Sequence, residues 1–146
     1  MFMTNNINVQ ELVKEAIVAR ERAYTPYSNF DVGAALLTVD GKIYHGCNIE
    51  NAAYSPTNCA ERTAFFSAVY AGERKFSAIA VAGWYSEESK NKENEMAFPC
   101  GVCRQVMMEF CNPETFQIIV TDSKGNLSIN TLSQLLPHGF GPDNLY

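Results

Sequence analysis

Asn58-Cys59-Ala60-Glu61-Arg62-Thr63-Ala64-Phe65-Phe66-Ser67-Ala68-Val69-Tyr70-Ala71-Gly72, followed six residues later by Ala78-Ile79-Ala80-Val81-Ala82-Gly83, decides the fold. The first stretch reads as a helix from Cys59 to about Ala71, with Asn58 available as its N-cap and Gly72 as its stop. The second is a continuous run of small apolar residues, the pattern of a central strand covered on both faces. Upstream lie two strands, Val32 to Val39 and Lys42 to Cys47, joined by an Asp40-Gly41 hairpin turn. Downstream, Pro99 leads into a second helix, Cys100 to about Cys111, stopped by Asn112-Pro113 and followed by a strand from Phe116 to Thr121. Two consecutive strand–helix–strand units imply an α/β domain with a partly parallel sheet and right-handed crossovers. Both crossover helices then start side by side at the carboxyl edge of the sheet, where open α/β sheets place their ligands.

The remaining elements frame this centre. Residues 8–24 carry Val9, Leu12, Val13, Ala16, Ile17, Ala23 and Tyr24 at helical spacing, and Thr25-Pro26-Tyr27-Ser28-Asn29 breaks the pattern. Asn48 to Asn58 reads as a polar loop, and Trp84 to Phe98 as a charged, exposed one. After Asp122–Asn126, a turn, Leu127 to Ile129 returns as a short antiparallel strand. Thr131-Leu132-Ser133-Gln134 opens a last short helix as a capping box, ended by Pro137. The Cys59–Ala71 helix is apolar almost all round, so it needs cover on more than one side, and a neighbouring subunit is expected to supply part of it.

The chemistry sits at the two helix starts. Cys100 and Cys103 are three apart and share a helix face, so they can grip one ion, and the topology brings Cys59 to them across 40 intervening residues. Three thiolates on zinc leave the fourth position open to water, which separates catalytic zinc sites from closed structural ones. Glu61, two residues beyond Cys59, is placed to accept and return protons there without being a ligand. Arg62 is expected to donate to a ligand sulfur and offset the net negative charge of a three-thiolate centre. Two plainer readings compete. Asn58-Cys59-Ala60-Glu61 is also a capping box. Cys-x-x-Cys alone is compatible with a redox pair or half a zinc ribbon, closed by Cys47, Cys111, His45 or His138.

Composition narrows the partners. The chain has 146 residues, 47% of them hydrophobic and 18% charged, the size and makeup of one globular domain spanning residues 1–146. No apolar run reaches the ~20 residues of a membrane span, and the amino-terminal segment Met1 to Asn6 lacks the basic start and apolar stretch of a secretory signal, so a cytoplasmic protein is expected. Five cysteines, an odd number, then argue for metal or catalytic use over disulfides. A net charge of −5 without a Lys/Arg-rich run disfavours nucleic acid and fits a small uncharged substrate.

Several stretches together closely resemble the small, three-cysteine, homotetrameric cytidine deaminases. They are Phe30-Asp31-Val32-Gly33-Ala34-Ala35, Gly46-Cys47-Asn48-Ile49-Glu50-Asn51-Ala52-Ala53-Tyr54, Thr57 to Ala64, Pro99-Cys100-Gly101-Val102-Cys103-Arg104-Gln105, and the ending Leu135-Leu136-Pro137 with Phe140. The zinc nucleobase deaminases share a Cys- or His-x-Glu and Pro-Cys-x-x-Cys signature. The resemblance implies a three-layer α-β-α fold around a mixed five-stranded sheet with a parallel core and antiparallel hairpins. It implies one zinc ion per chain on Cys59, Cys100 and Cys103, with Glu61 as proton shuttle. It implies hydrolytic deamination of cytidine and 2′-deoxycytidine in pyrimidine salvage. Phe30 matches an aromatic lining the base pocket, and Asn48 and Glu50 match residues that hold the ribose hydroxyls. Ala60 falls at a further substrate-contacting position, while Tyr54 and Phe140 match positions reaching toward a neighbour's site in the tetramer. The interval between Cys59 and Cys100 is longer than the family leads one to expect, through the charged Ser86–Glu95 loop. Such a loop should leave the ligands in place, because closure cost rises slowly with length. The rival readings are a deaminase of another small aminopyrimidine nucleoside and a zinc-stabilised binding module without turnover.

Overall fold

The alternating sizes along one strand show how the layers are built. In β3 (Phe76–Tyr85), Ile79 and Val81 point into one apolar cluster, while Ala78, Ala80 and Ala82 point into another on the opposite face of the sheet. The small-residue face receives helix α1 (Val9–Arg20) through Leu12, Val13 and Ala16. The larger face receives α2 (Ala60–Tyr70) and α3 (Gly101–Phe110), with Ala64, Phe65, Ala68, Cys103 and Met107 buried between them and the sheet. The result is three layers, α-β-α. The computed structural model describes residues 7–92 and 95–145; the amino-terminal leader expectation and part of the Ser86–Glu95 loop fall outside them.

The sheet contains β1 (Phe30–Thr38), β2 (Ile43–Cys47), β3, β4 (Gln117–Thr121) and β5 (Leu127–Thr131), in the order β2-β1-β3-β4-β5. The β1–β2, β1–β3 and β4–β5 pairs are antiparallel and β3–β4 is parallel, which gives the mixed sheet expected. Both strand–helix–strand units are present. β2 runs parallel to β3 with β1 between them, and β3 runs parallel to β4 beside it. The last helix, α4 (Leu132–Leu135), begins with the anticipated capping box, in which the Gln134 side-chain oxygen accepts from the Thr131 N–H at 2.8 Å.

Several boundaries differ from the sequence reading, and in four the cause is a specific contact. α1 ends at Arg20, so Ala23 and Tyr24 lie outside it. The Tyr24 N–H donates to Asn48 O and its carbonyl accepts from Glu50 N–H, which draws this residue into a bridge with the 48–50 segment. Trp84 and Tyr85 belong to β3, not to the following loop, because they pair with Asp31 and Phe30. The buried Arg20 guanidinium fixes that end, donating to the carbonyls of Asp31, Trp84 and Tyr85 while stacking 4.3 Å from the Trp84 ring. β5 continues two residues beyond Ile129, as its ladder with β4 extends to Gln117 and Thr131. The N-cap of α2 is Cys59, not Asn58, whose side chain instead donates to Thr63 Oγ1 at 3.1 Å.

One close approach sets the position of α2. A Cβ at Gly46 of β2 would lie 2.3 Å from Ala60 O and 2.4 Å from Ala64 N, so only glycine lets the helix settle this near the strand. Gly33 of β1 does the same for α1 on the other face, where a Cβ would meet Ala16 O at 2.1 Å.

Candidate metal centre and active site

Cys59 and Cys100 occupy equivalent places, each the extended residue immediately before a helix. An extended N-cap leaves its side chain free of the helix cylinder, and the unpaired N–H groups of the first turn lend positive potential to a thiolate there. Cys103 follows on the first turn of α3 and is buried. The Cys59 and Cys100 sulfurs stand 3.8 Å apart and the Cys100 and Cys103 sulfurs 3.6 Å. A tetrahedral zinc with bonds of ~2.3 Å holds its sulfur ligands about 3.8 Å from one another, so the three are spaced to bind zinc. Among the described residues this is the cluster able to hold a metal ion, and it contains three side chains. The fourth-ligand candidates are engaged elsewhere or apart from it. His45 bonds Glu15 Oε1 at 2.6 Å, Cys47 Sγ donates to Arg22 O at 3.4 Å, and Cys111 is buried in the core with its thiol pushed up by burial. Exposed His138 also stands outside the cluster.

The groups around the sulfurs favour the ionised form of Cys59. The Arg62 Nη2 donates to Cys59 Sγ at 3.2 Å, as the sequence suggested. The Cys59 thiol is held well below its usual range, first by the hydrogen bond from Cys103 and then, against burial, by Arg62. Cys103, which holds that proton and is buried, is pushed up correspondingly. The Arg62 guanidinium is raised in turn, because the two sulfurs outweigh the burial that opposes its charge. Its Nε is buried and has no hydrogen-bond partner.

Glu61 is 4% exposed, on the first turn of α2 directly after the buried Ala60. Burial raises its carboxyl to about 7, with the neighbouring Cys59 charge adding to the effect. A carboxylic acid poised near neutrality is populated in both its forms there, whereas an exposed capping glutamate is almost wholly ionised.

Of the remaining site positions, Phe30, Asn48, Glu50 and Tyr54 are linked through the 27–30 and 48–54 segments, while Phe140 lies elsewhere. Asn48 Nδ2 donates to Phe30 O at 2.8 Å, and its Oδ1 accepts from Val32 N–H at 2.9 Å. Much of the Asn48 amide is thus spent on holding the start of β1, leaving one N–H to offer elsewhere. The Phe30 ring packs edge-on against Tyr85 at 4.9 Å. Glu50 accepts from the N–H groups of Tyr27 and Ser28 and from the Ser28 hydroxyl. It lines a cavity of about 380 Å³ with Tyr27, Ser28, Asn51, Tyr54 and Thr57. Tyr54 is exposed, adopts φ +63°, and lies edge-on to Tyr27. Phe140 is also exposed and stands apart from that cavity; Gln105 Nε2 ties its carbonyl to α3 at 2.8 Å.

Two contributors were not singled out from sequence. Arg104 anchors the turn that carries Cys100 and Cys103, its Nε donating to Pro99 O at 2.7 Å and its Nη1 to Leu135 O at 2.6 Å. Ser28 read only as part of a helix-breaking turn. The signal for Arg104 was its position directly after Cys103; nothing local marked Ser28.

Comparison with known proteins agrees with this geometry. The family described as the cytidine and deoxycytidylate deaminase zinc-binding region matches residues 7–119. The chain is 51% identical over 139 residues to a cytidine deaminase of Sporosarcina psychrophila, covering 95% of this chain and 96% of the relative. It is 48% identical over 136 residues to that of Halalkalibacterium halodurans, covering 93% and 96%. The crystal structure of a cytidine deaminase from Burkholderia pseudomallei superposes with a TM-score of 0.82 at 48% identity, covering 92% of this chain and all of that one. With three thiols spaced for one zinc ion and a buried acid beside them, the chain belongs to the cytidine and deoxycytidylate deaminase family of zinc enzymes.

Proposed function

We propose that the protein catalyses hydrolysis of cytidine and 2′-deoxycytidine: nucleoside plus water gives uridine or 2′-deoxyuridine plus ammonia. The observation that carries this reading is the cluster of three sulfurs 3.6–3.8 Å apart along its bonded edges, beside a nearly fully buried Glu61. Cys59, Cys100 and Cys103 hold the zinc ion, which when bound supplies Lewis-acid activation of water. Glu61 carries the protons of that water: one is delivered to N3 of the ring as the water oxygen bonds to C4, and the other to the 4-amino group, which leaves as ammonia when the C4–N bond breaks. Its buried setting keeps both forms of the carboxyl within reach near neutral pH. Arg62 steadies Cys59 and spreads the negative charge of the sulfurs. Phe30 and Ala60 line the base, and Asn48 and Glu50 receive the sugar hydroxyls. The polar Asn–Glu pair suits the hydroxyls of a sugar, which favours a nucleoside over a free base.

We assign the working form to a homotetramer with shared active sites. Phe66 is 51% and Tyr70 94% exposed on the outer face of α2, and Tyr54 and Phe140 project from the protomer, so each can complete a neighbour's pocket. Among the described residues, no helix is long and apolar enough to cross a membrane. All five cysteines are free, as ligand thiols must be, which supports a place in the reducing cytoplasm and a role in pyrimidine salvage. Incubation with cytidine, followed by loss of the cytosine absorbance band with zinc measured alongside, tests the reading. One zinc per chain with stoichiometric ammonia release is expected; bound zinc without conversion of cytidine or deoxycytidine would contradict it.

A further inference from the structure

The hydrogen bonds around Ser28 run in one direction. The Phe30 N–H donates to Ser28 Oγ at 3.0 Å, and the Ser28 hydroxyl donates to Glu50 Oε2. Because Oγ already accepts from Phe30, its single proton is free to point at the carboxylate, and Glu50 must accept it. The other carboxylate oxygen, Oε1, accepts from the N–H groups of Tyr27 at 3.0 Å and Ser28 at 3.2 Å. Burial opposes the ionised form of Glu50, yet these three donors outweigh it and hold the carboxyl below its usual range. An ionised carboxylate offers about four lone-pair directions. Three are taken by the 27–28 turn, and the carboxylate borders the cavity shared with Tyr54 and Thr57.

The same turn reaches the base side of the site. The Phe30 N–H enters the Ser28–Glu50 chain, while the Phe30 carbonyl accepts from Asn48 Nδ2 at 2.8 Å. One residue that lines the base is therefore bracketed by the two that receive the sugar, and Ser28 is the link between Phe30 and Glu50.

From this network we infer that Ser28 is a positioning residue for sugar recognition: it fixes the plane of the Glu50 carboxylate so that its remaining acceptor direction meets a ribose hydroxyl, in register with the base against Phe30. The inference rests on the assignment of Glu50 to the sugar. Ser28 touches neither the reacting atoms nor the metal ligands, so its loss weakens binding of a hydroxylated sugar and spares the chemical step.

The test compares cytidine with 2′,3′-dideoxycytidine on the zinc-loaded Ser28→Ala and Ser28→Thr enzymes, with Glu50→Gln in parallel. For Ser28→Ala, the expected result is a rise of about tenfold in KM for cytidine, the loss of one hydrogen bond to a charged group. kcat should change less than about twofold. KM for the dideoxynucleoside should stay near the parent value, and Ser28→Thr, which keeps the hydroxyl, should recover most of the loss for cytidine. An equal rise for both nucleosides, or no rise for either, overturns the inference. If Glu50→Gln discriminates the two sugars and Ser28→Ala does not, positioning by Ser28 fails while the sugar role of Glu50 stands. If neither discriminates, the assignment of Glu50 falls and this inference with it. Should Ser28→Ala not yield folded protein, Ser28→Cys, of similar size with a weaker donor, is read by the same substrate comparison and the same criteria.

Discussion

Replacing Gly46 by alanine adds one methyl group at the contact between β2 and α2. That carbon would sit 2.3 Å from Ala60 O and 2.4 Å from Ala64 N. Comfortable separation of such atoms is about 3.5 Å, so the overlap is about 1 Å. Both neighbours are backbone atoms of the first turns of a helix, and no rotamer change relieves them. The helix must retreat, and Ala60 lies between Cys59 and Glu61, so the retreat carries the proposed ligand Cys59 and the proposed proton carrier Glu61 away from Cys100 and Cys103 on α3. Overpacking of this kind costs about 1–3 kcal/mol. For a chain of this size that lowers the melting temperature by roughly 3–10 °C. A displacement near 1 Å at the reacting groups costs on the order of 10²-fold in rate. Thermal melting, bound zinc and kcat/KM for cytidine, measured on purified Gly46→Ala protein, report the two effects separately. The reasoning predicts a folded but less stable protein whose activity falls far more than its fraction folded at the assay temperature. Parent-like melting together with parent-like kcat/KM would refute the claim that this contact places α2.

Two further substitutions probe the centre itself. Glu61→Gln keeps size and polarity but cannot shuttle protons; it should retain zinc and lose at least ~10²–10⁴-fold in kcat, and activity within a few-fold of the parent would remove the shuttle role. Arg62→Ala removes the donor 3.2 Å from Cys59 Sγ and should weaken zinc affinity by about 10–100-fold in competition with a chelator; unchanged affinity and turnover would show that the guanidinium is dispensable.

What the sequence disclosed and what it concealed divide along a physical line. Periodicity and punctuation revealed the helices and strands, because the apolar run Ala78–Gly83 and the stops at Gly72 and Asn112-Pro113 are local signals. The three-cysteine cluster was legible for the same reason, since the cysteines stand at helix starts that the topology brings together. Arg62 was legible because it lies three residues from the sulfur it serves. The misplaced ends arose where distant partners decide. Tyr24 continues the apolar spacing of α1 but is claimed by backbone bonds to Asn48 and Glu50, and Trp84-Tyr85 extend β3 because Asp31 and Phe30 pair with them. The capping box that Asn58 and Glu61 spell out is not used in that form, since Asn58 turns to Thr63 and Glu61 is buried. The Ser28–Glu50 link spans 22 positions and the Arg104–Leu135 bond 31, distances over which residue spacing carries no pattern.

X-ray absorption at the zinc edge of the purified protein tests the central claim most directly, because it counts the ligand atoms without reference to turnover. The account predicts three sulfur scatterers at ~2.3 Å and one oxygen or nitrogen scatterer near 2.0 Å. A shell of four sulfurs, or of fewer than three, would contradict it.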